Sequence, residues 1–252
     1  MKIINETGFF LKRKLLEFVR DPSWFFSGLI TPLLYIALFS PLLKNISYPP
    51  LDNADVLDSF VPGILTILAF SAGMGAGWLV IWDLKSGVIE RLRVTPASRF
   101  SIMLGAVLKD VITFFVPAVL VILVSSLFGF HINVGGLAAL MVLLCLLTAV
   151  VSAWSASLGL MIKEIGGLAA VVTGLQLPLT LLSGALLPLS LAPNWLITLA
   201  HINPMYYTVE ASRVLAAGNI NTPETIKAFA VLIPLTIIVL WWATRIYRKA
   251  VA

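Results

Sequence analysis

Residues 83–99, DLKSGVIERLRVTPASR, decide how the chain is read. They concentrate Asp83, Lys85, Glu90, Arg91, Arg93 and Arg99, while the apolar runs on both sides are each long enough to cross a bilayer. So much charge cannot sit in hydrocarbon, so the stretch lies in water at a membrane surface. Val88, Leu92 and Thr95 or Pro96 fall at helical spacing between the charges and predict a short amphipathic turn of helix, apolar on one side and rimmed with arginine.

The composition agrees. The 252 residues are 60% hydrophobic and 12% charged, against about 25% charged in an average soluble domain. Nearly the whole length is needed for spans of about 20 residues each, which excludes a pair of soluble domains. The net charge of +5 does not point to nucleic acid, because the basic residues border apolar runs instead of alternating with stacking aromatics. Cys145 is the single cysteine and lies in an apolar run, which excludes an internal disulfide.

Towards the N-terminus, residues 3–21 set Phe9, Phe10, Leu15, Leu16 and Val19 against Lys12, Arg13, Glu17 and Arg20. This predicts an amphipathic interface helix stopped at Asp21 and Pro22. The basic segment before the first apolar run and the lack of a small-residue cleavage site predict that this run is retained as a span.

Six spans are predicted, at about 24–43, 60–82, 111–130, 137–162, 165–187 and 228–244. The second carries Ser71, Gly73, Gly75 and Gly77, and the fourth a small-residue run over 152–159; both suit close helix packing. A short acidic loop over 44–59 joins the first two spans. Between the last two, residues 188–227 are half apolar and broken by Pro188, Pro193, Pro204 and Pro223. That segment is too short for two spans and predicts short re-entrant helices dipping into one leaflet. Of the 17 Lys and Arg residues, this topology puts only Lys44, Arg213 and Lys227 on one side. The basic side is cytoplasmic by the positive-inside rule, with both termini and a coupling loop over 83–103.

The spans drawn this way hold no Asp, Glu, Lys, Arg or His, an expectation that argues against an ion-coupled transporter. Ser183 and Gly184 suggest a helix break more than an intramembrane nucleophile, since His131 and His201 both fall outside the spans. The sequence contains neither a H-E-x-x-H pattern nor a G-x-x-x-x-G-K-[ST] phosphate loop. No enzymatic activity is therefore expected of the chain, and energy for transport has to come from elsewhere.

Three patches in order carry a resemblance: 60–64 (FVPGI); 87–92 (GVIERL) with 95–99 (TPASR); and 182–185 (LSGA) with Pro188, Pro193 and Trp195 ahead of 203–207 (NPMYY) and Glu210 to Arg213. Together they resemble the permease subunits of type-2 ABC exporters, the group of the daunorubicin-resistance and nodulation-factor export permeases, over essentially the whole chain. The resemblance implies an all-α polytopic subunit in the bacterial cytoplasmic membrane, dimerising and pairing with two copies of a separate ATPase that binds ATP and Mg. It puts ATPase coupling on Glu90, Arg91, Arg93 and Arg99, and it implies outward transport. No cofactor or metal is expected in this chain.

For the substrate path, aromatics Trp78, Phe114 and Trp154 with the polar Gln176 and Thr180 are the candidates on otherwise charge-free walls. Such walls suit an amphipathic or lipid-like substrate, whereas a glycan path needs many polar partners. Export of a polysaccharide or lipid-linked saccharide by the same architecture, or a non-transporting assembly or channel subunit, are the alternatives.

Overall fold

The computed structural model describes residues 2–20, 23–44, 53–93, 98–131, 133–186, 189 and 192–251. Asp21, Pro22, residues 45–52 of the acidic loop, Thr95, Pro96, Ala97 and Pro188 lie outside them. Every regular element among the described residues is a helix: α1 (Lys2–Arg20), α2 (Ser23–Lys44), α3 (Asn53–Lys85), α4 (Val88–Arg93), α5 (Arg99–Leu127), α6 (Val134–Ile162), α7 (Ile165–Leu182), α8 (Asn194–Ala200), α9 (Pro204–Ala216) and α10 (Pro223–Val251).

Among the described residues five segments are long and apolar enough to cross a membrane: Leu57–Lys85, Arg99–Leu127, Val134–Ile162, Ile165–Leu182 and Pro223–Lys249. In α2 the apolar segment Gly28–Leu38 counts as a shorter apolar helix.

The bundle is built on the seam between α3 and α6. Lipid tails are as apolar as leucine, so helices in a membrane associate through close packing and interhelical hydrogen bonds. Gly73 and Gly77, one turn apart on α3, supply that closeness. A Cβ on Gly73 would lie 2.8 Å from the Thr148 carbonyl oxygen, and one on Gly77 2.6 Å from that of Ser155. The hydroxyls of α6 use the approach: Ser155 Oγ donates to the Met74 carbonyl at 2.6 Å and accepts from the Gly77 N–H at 3.1 Å. Thr148 Oγ1 donates to the Ala69 carbonyl at 3.2 Å.

Two apolar clusters flank the seam. The larger contains Ile64, Phe114, Leu140, Leu144 and Leu168. The smaller joins Phe10 of α1, Val80 of α3, Ile89 of α4, Met103 of α5 and Tyr247 of α10, so both ends of the chain meet at one end of the bundle. Most of the basic residues gather at this end. At the opposite end Arg213 of α9 is largely buried and ties three helices together. Its Nε donates to the Ser59 carbonyl at 3.2 Å, its Nη2 to that of Gly184 at 2.6 Å, and its Nη1 pairs with Glu210 at 3.1 Å. Burial lowers the pKa of its guanidinium below the ordinary value, and the Glu210 carboxylate opposes that shift.

Among its described residues the charged stretch holds the short helix that its spacing predicts: α3 continues to Lys85, a turn at Ser86 and Gly87 (φ +70°) follows, and α4 begins at Val88. Its anchoring side chain is Ile89, 2% exposed, which the sequence stripe did not include. Val88, which is part of that stripe, packs against the chain's own smaller cluster. The expected third span lies on α5, which runs unbroken from Arg99 to Leu127, and Lys109 and Asp110 stand inside that helix, 5% and 2% exposed. They are tolerated there because they pair with each other. The helix that carries the span therefore holds a buried ion pair.

Candidate substrate cavity

The face of α3 opposite the seam borders open space. Ser71 is exposed, and nothing lies within 4 Å of a Cβ built on Gly75. These residues and Trp78 line a cavity of about 540 Å³ walled by α1, α2, α3, α5 and α7. That volume falls in the range of about 300–1,000 Å³ usual for small-molecule sites.

The walls are graded. Towards one end they are apolar, with Ile64, Ile67, Leu68, Pro117 and Val172, relieved by Thr173 and Gln176. Midway come Tyr35, Ser71, Trp78 and Thr113. At the basic end stand Lys14 and Glu17 of α1 with Lys109 and Asp110 of α5.

The charges at that end are organised into two groups. Lys14 Nζ bonds Glu17 at 2.9 Å and Asp83 at 2.8 Å, joining α1 to the end of α3. Arg13 also bonds Glu17, at 3.0 Å. Burial raises the pKa of the Glu17 carboxyl, but the hydrogen bond and charge of Lys14, with Arg13, outweigh it and hold the group below its ordinary value. Asp110 accepts from Lys109 Nζ through Oδ1 and from Ser152 Oγ of α6 through Oδ2 at 2.5 Å. Thus a hydroxyl of the seam fixes a carboxylate of the cavity.

Of the sequence candidates for the path, Trp78 and Gln176 line this cavity. Phe114 is wholly buried in the larger cluster, and Trp154 is half-buried against it. Thr180 stands outside the lining, its Oγ1 buried and without a hydrogen-bond partner among the described residues. The coupling candidates are divided as well. Glu90 and Arg91 are exposed on α4, Arg93 closes that helix, and Arg99 is half-buried at the start of α5. Sequence reading missed Lys109, Asp110 and Ser152. The available signal was an acid-base pair four residues after Gly105, on a helix with nothing to break it before Pro117.

Several long apolar helices and a small-residue seam between them mark a multi-pass membrane protein. The chain belongs to the ABC-2 type transporter family, whose pattern matches residues 5–216. It is 32% identical over 216 residues to the putative transport permease ycf38 of Cyanophora paradoxa, covering 84% of this chain and 74% of that protein. It is 27% identical to the protein of the same name in Pyropia yezoensis, covering 89% and 78%. Against the probable doxorubicin resistance ABC transporter permease protein DrrC of Mycobacterium tuberculosis it is 24% identical over 215 residues, 82% of this chain and 75% of that one. Membership makes the chain a transport component of the membrane and implies association with an ABC ATPase subunit.

Proposed function

We propose that the chain is the permease subunit of an ATP-driven exporter that moves an amphipathic or lipid-like substrate outward through the cavity beside α3. The observation that carries this reading is the gradient of the cavity wall, ionic at the α1 end and apolar towards Val172. An amphiphile matches such a wall along its own length, whereas a glycan would leave the apolar half without partners.

In this reading the basic end faces the cytoplasm, α2 completes a set of six spans, and α1 lies in the interface. α8 and α9 form the outer re-entrant element, and Arg213 holds it closed against α3 and α7. Two permease chains pair with two copies of a separate ATPase, which binds the ATP and Mg2+. α4 meets that ATPase through Glu90 and Arg91, and its Ile89 transmits the push, because that side chain is seated among residues of α1, α3, α5 and α10.

The test is reconstitution with the cognate ATPase. The permease alone is expected to hydrolyse no ATP, and the assembled complex to hydrolyse it faster when an amphiphile is added. Replacing Glu90 and Arg91 together by alanine is expected to cut coupled hydrolysis about thirtyfold, the scale of losing one interface hot spot of about 2 kcal/mol. Full coupled activity in that double variant would remove α4 from the ATPase contact.

A further inference from the structure

The charged end of the cavity has a polarity of its own, set by which hydrogen-bonding capacity is already used. Among the described residues, Glu17 and Asp110 on the wall and Asp83 beside it are each engaged: Glu17 by Arg13 and Lys14, Asp83 by Lys14, and Asp110 by Lys109 and Ser152. Lys14 is shared between two of them. Lys109 differs. An ammonium has three donors, and among the described residues its single hydrogen-bond partner is Asp110. Its Nζ also lies 6.0 Å from the centroid of the Phe18 ring. Lys109 is thus a buried, positioned cation on the cavity wall with donor capacity left over.

We infer that the Lys109 end of the cavity is a head-group site for an amphiphile carrying a phosphate or carboxylate, with its apolar chain lying along α3 towards Ile64. The inference rests on reading the cavity as the substrate path. An anionic head supplies the acceptors that Lys109 lacks. A cationic head would meet the lysine charge and find Glu17, Asp83 and Asp110 already engaged, and a neutral head would leave the buried ammonium no better satisfied. From Leu79 to Ile64 the wall runs along α3 for about 22 Å at 1.5 Å per residue, which gives an extended chain a continuous surface of Met74, Gly75 and Leu68 to follow.

Binding of radiolabelled oleoyl lysophosphatidate to the purified full chain in a neutral sterol-based detergent tests this. Monooleoylglycerol, oleylamine and glycerol 3-phosphate serve as competitors. Unlabelled lysophosphatidate is expected to compete at least about tenfold better than the neutral or cationic lipid, the scale of a charge-assisted hydrogen bond. Glycerol 3-phosphate is expected to compete far more weakly. Lys109→Gln alone leaves Asp110 short of a partner and endangers folding, so Lys109→Gln is paired with Asp110→Asn. That double variant is expected to bind lysophosphatidate and monooleoylglycerol alike, while Lys109→Arg keeps the preference. Gly75→Trp, which fills the cavity, is expected to weaken both lipids at least about tenfold.

Equal affinity of the native chain for lysophosphatidate and monooleoylglycerol, both weakened by Gly75→Trp, would overturn the head-group site and leave the amphiphile cavity standing. Lipid binding untouched by Gly75→Trp would overturn the cavity reading itself and the head-group site with it. Glycerol 3-phosphate competing as well as the lipid would show that the site takes free phosphate esters and would overturn the amphiphile class.

Discussion

One helix, α3, faces two different environments. Its Gly73 and Gly77 side meets α6 so closely that a methyl group has no room, while its Ser71, Gly75 and Trp78 side borders a cavity of about 540 Å³. The same small residues, two positions apart, are seam on one face and open wall on the other. In a helix the direction in which a glycine points decides its role, and a step of two residues turns it through more than half a circle. The supporting helices differ in parallel. Within their apolar windows 67% of α3 is buried, against 11% of α7. The seam is therefore the closely packed part of the bundle, and α7 is the wall left mostly uncovered by the described residues.

Asp110 joins the two regions, since it lines the cavity and takes its second hydrogen bond from Ser152 on α6. Breaking it has the largest expected effect. Asp110→Ala strands a buried ammonium and is expected to cost about 3–5 kcal/mol of stability, read as a loss of monodisperse protein and a lowered melting temperature. Replacing Lys109 and Asp110 together by leucine is expected to recover most of that stability, because no unpaired charge remains. A double variant as unstable as Asp110→Ala would show that the cost is steric.

The next largest effect separates the two faces of α3. Gly77→Ala forces the helices apart at the seam and is expected to cost about 1–3 kcal/mol. Gly75→Ala meets nothing within 4 Å and is expected to gain about 0.4–1 kcal/mol by stiffening the unfolded chain. Thermal unfolding of the two variants side by side is the check, and equal shifts would erase the distinction between seam and wall.

The smallest effect is at the rim, where α1 docks. The folded Glu17 carboxyl titrates below its ordinary value of 4.5, so its contribution is fully present above that pH and is lost as the pH falls below it. The melting temperature is expected to drop slightly more for the native chain than for Glu17→Gln between about pH 6 and about pH 3. Identical acid responses would show that Glu17 does not help hold α1.

The helical bundle and its small-residue faces were legible in the sequence because periodicity and residue size report directly on local geometry. Gly73 and Gly77 could be read as packing residues, but Gly75 could not be separated from them without knowing which side α6 occupies. The charged pair was hidden for a different reason. Lys109 and Asp110 sit at the border of an apolar run, where charges ordinarily mark the water interface. Only the unbroken course of α5 and the reach of Ser152 from another helix reveal them as buried. Likewise, helical spacing offered Val88 and Leu92 as the apolar side of the central stretch, while Ile89 became its anchor because the turn at Ser86 and Gly87 rotates α4 onto the bundle.

Export through this cavity requires that substrate pass beside Gly75. ATP-dependent movement of fluorescent lysophosphatidate should be measured in proteoliposomes containing the permease and its cognate ATPase, for the native chain and for Gly75→Trp eluting as the same monodisperse species. Loss of at least about nine-tenths of the transport rate is predicted when the cavity is filled; transport by Gly75→Trp at the native rate would contradict it.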